Sequence, residues 1–249
     1  MPSVGVLMTF NRIVACAIIG FIKPTPSIVL NSICSFTATL PGTCHNRHAQ
    51  PAAVFSSPSG TEPLIRIGHG YDIHRLASRE DAGQPVVISG VKFDGSDAPD
   101  FELGFVAHSD GDVVYHSVVD AILGALTLPD IGQLFPDNDP RLRGANSEIF
   151  MNEAYARMVQ RGYRVGNLDV TLICQKPRVN VEHEGKQVKR LMVGNLARLL
   201  HTGLERVNVK ARTHEKVDSV GECRALECHV VLVIERDPDA TPSQPLVEL

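Results

Sequence analysis

Apolar residues recur along this chain with two distinct periods. Residues 107–112 are polar, and Val113, Val114, Val118, Ala121, Ile122 and Ala125 then return at helical spacing. Ser109 and Asp110 are good N-cap residues, so the pattern predicts a helix from this stretch to about Leu126. A second helix is expected from a cap at Asn146 or Ser147 to about Arg161, with Ile149, Phe150, Ala154 and Met158 turned inward and Gly162 closing it. A third is expected over residues 184–201. Strand patterns appear at Leu64, Ile65 and Ile67, where Gly68 and Gly70 end the run, and over 168–173, 207–211 and 226–234. Residues 86–88 and 91–93 frame Ser89-Gly90 as a hairpin. Polar, irregular connections fall at 96–104, 128–140, 175–180 and 213–221. Strands mixed with helices in this order predict a single domain of the α/β class (α+β type), with helices on one face of a mixed sheet.

The ends of the chain differ from its middle. The first acidic residue is Glu62, and only Arg12, Lys23 and Arg47 precede it as strong bases. Residues 13–22 form an apolar run behind Arg12, too short to span a bilayer and of the form of a signal-peptide core. The hydroxylated, acid-free segment over 24–61 reads as a transit peptide. Together they suggest a two-part address, secretory entry followed by import into a plastid-type organelle. A disordered tail or an N-terminal anchor is the plainer reading of 1–61. The domain is expected over 62–236, with a disordered tail over 237–249 that carries three prolines.

Without the three bases before Glu62, the formal charge falls from −4 to −7. An acidic domain without Trp and with 5% aromatic residues is no nucleic-acid binder, and stable membrane association of the domain is not expected. Six Cys occur without a C-x-x-C pair, so neither a disulfide framework nor a Cys-based zinc site is suggested.

The candidate chemistry lies in the polar stretches. Asp72 and His74 are two apart, and share a side if the backbone is extended. His116 shares a helix face with Asp112 and Asp120. Asp72, His74 and His116 make a His₂-carboxylate set, the ligand count of a zinc site with one position open. The bland alternative is a buried, hydrogen-bonded histidine on an amphipathic helix. Asp112 or Asp120 would be natural partners for the second nitrogen of His116. Glu215 and the aspartate-rich loops could hold a hard cation on phosphate oxygens, and His108, Ser109 and Thr213 could donate to phosphate. A transition metal, a hard cation and phosphate donors together describe phosphoryl transfer. A zinc-dependent phosphoester hydrolase and a non-enzymatic metal- or nucleotide-binding module remain open on the same residues.

Four motifs in order carry a resemblance. Residues 68–74 (GHGYDIH), 107–112 (AHSDGD), 130–137 (DIGQLFPD) and 213–216 (THEK) resemble the 2-C-methyl-D-erythritol 2,4-cyclodiphosphate synthases. Residues 213–221 are similar to the plastid-type branch, and the likeness spans about 64–236. It implies a lyase of the non-mevalonate isoprenoid pathway, assembled as a homotrimer with active sites at subunit interfaces. The implied substrate is cytidine diphosphate-linked, and its own 2-phosphate attacks the β-phosphorus to release CMP. The resemblance implies zinc, or another divalent transition metal, at Asp72, His74 and His116. It implies magnesium or manganese bridging the phosphates through Glu215, with His108 and Thr213 also catalytic. Further contacts to substrate are implied at Ile73, Ser109, Asp130, Ile131, Gly132, Phe135, Asp137 and Asp139. A second set is Cys174, Lys176, Pro177, Arg178, Arg212, His214 and Arg224. Arg178 stands where many members have lysine. Ser219 and Glu222 stand where many bacterial members place a phenylalanine and an arginine near the trimer axis. The expected compartment is the stroma of a chloroplast or apicoplast.

Overall fold

The first strand does not stop at its glycines. In the computed structural model, which describes residues 62–136 and 138–240, β1 runs Ile65–Ser78. It pairs antiparallel with the last strand from Ile65↔Glu235 to Arg75↔Ala225. Gly68 and Gly70 mark the crossing of the helix Val113–Ala125 rather than a strand end. A Cβ at Gly68 would lie 1.8 Å from the backbone oxygen of Ala121, and one at Gly70 would lie 1.8 Å from that of Ser117. Hydrogen at these positions lets the helix backbone rest on the strand.

After β1 come a one-turn helix α1 (Arg79–Ala82), the hairpin β2 (Val87–Ile88) and β3 (Val91–Lys92), and β4 (Leu103–Val106). The helix that crosses β1 is α2 (Val113–Ala125), followed by the one-turn α3 (Ile131–Leu134) and by α4 (Glu148–Gln160). Next are β5 (Tyr163–Ile173), a small hairpin of β6 (Glu182–His183) and β7 (Lys186–Gln187), α5 (Val188–Leu199), β8 (Val207–Arg212) and β9 (Ala225–Arg236). The main sheet has the order β4-β1-β9-β5-β8, with β5 and β8 parallel and the other pairs antiparallel. It is the mixed sheet that the pattern predicted.

Helix α2 packs on β1, β9 and α4. Its apolar residues are buried on every side, Val113, Val118, Ile122 and Leu123 among them. Its N-cap is Asp112, not Ser109 or Asp110. One oxygen of Asp112 accepts the N–H of Ser89, Val114 and Tyr115, and the other accepts that of Gly90. The side chain therefore caps the helix and holds the β2–β3 turn. Burial, followed by the charge of Asp110, pushes its pKa up to about 7.

Two other helices differ from the pattern. In α4, Phe150, Met151, Ala154 and Met158 face inward, while Ile149 is exposed one position off that stripe. Helix α5 starts at Val188, because Glu184 and Gly185 turn the preceding hairpin with φ of 49° and 75°, which a right-handed helix does not accommodate. Past β9, residues 237–240 form a turn whose Asp237 N–H donates to the Gly162 carbonyl at 3.0 Å. The expected presequence over 1–61, Asp137 and the tail over 241–249 lie outside the described residues. No helix among the described residues is long and apolar enough to cross a membrane.

Candidate metal centre and flanking clefts

Alternation along β1 puts Asp72 and His74 on the helix-facing side of the sheet, and the first turn of α2 sets His116 above them. Asp72 Oδ2 lies 3.0 Å from His116 Nδ1 and 3.2 Å from His74 Nε2. The two imidazole nitrogens are 3.1 Å apart. A tetrahedral zinc ion with bonds of about 2.0–2.1 Å holds its ligand atoms roughly 3.3 Å from one another. The triangle therefore has nearly the size a bound transition metal requires, and one carboxylate with two imidazoles is a suitable donor set. This is the one group of three or more such side chains among the described residues with the spacing of a metal site.

The electrostatics fit a shared cation. Burial pushes the Asp72 carboxyl up, but the two imidazoles beside it, His116 and His74, outweigh it and hold it below the ordinary carboxylate range. Burial pushes His74 down. Burial acts the same way on His116, but the adjacent Asp72 carboxylate overcomes it and raises the group.

The second nitrogen of His116 has partners that the sequence pattern did not indicate. Nε2 lies 2.9 Å from Ser147 Oγ and 3.2 Å from Ser109 Oγ. Neither expected carboxylate reaches it. Asp112 is engaged by the β2–β3 turn, and Asp120 accepts the Ile131 N–H at 2.8 Å. Ser147 occupies the N-cap position of α4 yet makes no side-chain cap hydrogen bond.

A cleft of about 360 Å³ opens over the triad. It gathers His108, Ser109, Ile131, Gly132 and Phe135 beside Asp72, His74 and His116. Leu142 also lines it, as does Phe150, which the helical repeat had turned toward the core alone. His108 Nε2 faces the Asp139 carbonyl at 3.2 Å, so that nitrogen carries the proton. Asp130 caps α3, its carboxylate taking the Gln133 backbone and side-chain N–H groups. The carboxylate of Asp139 is taken by Arg141, whose Nη2 lies 2.6 Å away. Ile73 turns its side chain to the other face of the sheet, and its N–H donates to Asp72 Oδ1 at 2.8 Å.

The remaining expected residues lie elsewhere on the chain. Cys174, Pro177, Arg178, Arg212 and Thr213 line a second cleft of about 370 Å³. Lys176 lines a smaller recess with Pro177, Arg178 and residues 99–102. Neither shares a lining residue with the first cleft. The Cys174 thiol is buried and pushed up to about 12. Thr213 Oγ1 donates to Glu215 Oε1 at 2.9 Å, and Glu215 and Lys216 both adopt positive φ. His214 lies 2.8 Å from Asp218 and 3.5 Å from Glu227, and Arg224 pairs with Glu222. The expected contacts are thus divided between separate clefts of one chain.

Residues 65–235 match the YgbB family. The chain is 47% identical over 199 residues to a chloroplastic 2-C-methyl-D-erythritol 2,4-cyclodiphosphate synthase of Oryza sativa subsp. japonica, covering 80% of this chain and 82% of the relative. It is 42% identical over 173 residues to the synthase of that name from Proteus mirabilis, covering 70% of this chain and 98% of the relative. Among solved structures, the CDP complex of IspF from Plasmodium falciparum superposes with a TM-score of 0.58 at 33% identity, covering 71% of this chain and 99% of that one.

Proposed function

The chain belongs to the YgbB family, and we infer from that membership and from the geometry of its clefts how its residues carry out the reaction. The protein is a lyase of the non-mevalonate isoprenoid pathway. It converts 4-diphosphocytidyl-2-C-methyl-D-erythritol 2-phosphate to 2-C-methyl-D-erythritol 2,4-cyclodiphosphate and releases CMP. The 2-phosphate oxygen bonds to the β-phosphorus, the bond from that phosphorus to the oxygen of the α-phosphate breaks, and CMP departs with that oxygen. No protein nucleophile is required, because the attacking group is already an anion. The task of the site is to hold two anionic ends together.

The observation that carries the reading is the triangle of Asp72 Oδ2, His74 Nε2 and His116 Nδ1 at the base of the first cleft. These atoms would hold zinc, which when bound supplies positive charge to a phosphate oxygen. His108 and Ser109 stand at the cleft wall as donors to the phosphates. Asp130 and Gly132 match the family's ribose and diol contacts. The loop over 174–180 forms the cytidine end, and Thr213 and Glu215 lie between these regions in the reaction. Glu215 would carry the magnesium or manganese that neutralises the α- and β-phosphates.

The separation of the two clefts supports a homotrimer in which each active site takes the metal cleft from one chain and the cytidine loop from its neighbour. The outer face of the sheet supports it too. Ile65, Ile67, Tyr71, Ile73 and Val231 are all exposed there, a patch of the kind that marks an interface. The chloroplastic relatives favour the chloroplast over the apicoplast as destination, with residues 1–61 as the address.

Product analysis tests the reading. Incubation of residues 62–249 with the cytidyl substrate should give CMP and the cyclic diphosphate in equal amounts. CMP with a linear product would mark a hydrolase, and no product would mark a binding module.

A further inference from the structure

Ser147 is fully buried at the start of α4, where a serine ordinarily accepts a hydrogen bond from the first helical turn. Its hydroxyl makes no such bond. It lies instead between a carboxylate and the metal-site imidazole, 2.5 Å from Asp110 Oδ1 and 2.9 Å from His116 Nε2. The other oxygen of Asp110 accepts the backbone N–H of Ser147 at 3.0 Å, so the serine is held at two points.

We propose that Asp110 and Ser147 are positioning residues that set the tautomer of His116, so that Nδ1 faces the metal as a bare lone pair. A hydroxyl has one proton, and an ionised carboxylate can only accept. The Ser147 proton therefore points at Asp110, and the serine oxygen presents a lone pair to Nε2. Nε2 must then carry the ring proton. A neutral imidazole has one protonated nitrogen, so Nδ1 is left as an acceptor: His74 Nε2 donates to it across 3.1 Å, and the competing Asp72 Oδ2, 3.0 Å from Nδ1, is met by the same His74 proton at 3.2 Å. Ser109 is compatible with this order. Its oxygen accepts the Gly111 N–H at 3.2 Å, keeps a second lone pair for Nε2, and lies farther from Nε2 than Ser147 does. The relay runs through three elements distant in sequence: the loop before α2, the first turn of α2 and the start of α4. The proposal rests on the metal-site reading above.

Three substitutions test it, with zinc affinity measured by chelator competition and the His116 tautomer measured by long-range ¹H–¹⁵N correlation. The tautomer is read in metal-free protein at about pH 9, where histidine is neutral. Ser147→Ala should weaken zinc by about 10–100-fold, the usual effect of losing such a partner. Asp110→Asn should act in the same direction although Ser147 remains, because its hydroxyl is then free to donate to Nε2 and favour the wrong tautomer. Ser147→Thr keeps the hydroxyl and should keep both the affinity and the tautomer, which separates the relay from a general packing defect. Wild-type protein with the proton on Nδ1 would overturn the proposal. So would Ser147→Ala and Asp110→Asn variants that bind zinc within about twofold of wild type. Wild-type protein that takes up no zinc would instead refute the metal reading, and the tautomer would still decide the relay.

Discussion

The two faces of β1 are built from alternate residues of one strand and have opposite characters. The inner face carries Gly68, Gly70, Asp72 and His74 against α2. It is complete within one chain: the glycines admit the helix backbone, and the helix returns His116 to the two ligands. The outer face carries Ile65, Ile67, His69, Tyr71 and Ile73, and no element of the described chain covers it. Its polar groups are linked to one another rather than to water alone, with His69 Nε2 3.3 Å from His229 Nδ1 and the Tyr71 hydroxyl donating to Glu227 at 3.0 Å. An ordered apolar face without cover is unfinished in the monomer. The inner face therefore belongs to folding and metal binding, and the outer face to the proposed trimer.

Breaking the inner face should have the largest effect. In Gly70→Ala the new methyl would meet the Ser117 carbonyl oxygen at 1.8 Å and the Ala121 nitrogen at 3.0 Å, both backbone atoms of α2. Helix and strand must then separate, at a cost above the roughly 1–3 kcal/mol of ordinary overpacking. Denaturant titration should show a large loss of stability, and zinc binding and assembly should be lost with it. A midpoint equal to wild type would mean that α2 does not rest on β1 as described.

Breaking the outer face should leave the fold and remove the assembly. Ile67 is 69% exposed. Ile67→Asp should therefore change the intrinsic stability of the chain little, by about 0.5 kcal/mol or less. Light scattering should nevertheless report monomer, and turnover should collapse because the proposed active site draws on two chains. A trimer that persists in this variant would place the interface elsewhere.

A smaller effect is expected at Glu215, whose loop builds neither face and enters only through its proposed role in the reaction. Glu215→Gln keeps the shape and removes the charge. Zinc content should be unchanged, while turnover falls by about 10²-fold and loses its response to magnesium or manganese, the scale of losing one electrostatic contribution. Near-normal turnover with an unchanged metal response would reduce Glu215 to a brace for Thr213, to which it is hydrogen-bonded.

The mildest effect concerns pH and sharpens the account of the buried side. The folded pKa of Asp112 is about 7, above the ordinary carboxylate value of 3.8. The folded protein thus holds this proton where the unfolded chain has released it, so the contribution of Asp112 to stability falls as pH rises from about 4 to 7. Asp112→Asn should be destabilised, since four N–H groups lose a carboxylate acceptor. Its deficit relative to wild type should shrink between pH 5 and pH 7.5. A deficit that grows over that interval would show that Asp112 is not held up by burial.

Several of these features were legible in the sequence and several were not. The two-residue spacing of Asp72 and His74 predicted a common side, and the helical apolar repeat after Asp112 predicted the element that carries His116. The hairpin about Ser89 and Gly90 formed as expected. The extent of β1 was misread, because a glycine that ends a strand and one that admits a crossing helix look alike in one dimension. The same ambiguity hid Ser147. A serine before an apolar helix is sufficiently explained as a cap, and only the fold shows its hydroxyl turned to Asp110 and His116. Asp112 and Asp120 shared a helical face with His116, yet tertiary hydrogen bonds to the β2–β3 turn and to Ile131 had claimed them.

By itself the sequence determined what depends on neighbours a few residues apart: the period of each element, the charge of the domain and the side on which each ligand projects. The motif set also identified the family. Tertiary structure alone decided which of those sides meet. It brought His116 within 3.0 Å of Asp72 from a separate element, set the second imidazole nitrogen against Ser147, and divided the expected substrate contacts between two clefts. The reason is physical. Periodicity follows from backbone geometry within one segment, whereas the meeting of segments follows from the burial of whole faces, and each such contact depends on atoms distant along the chain.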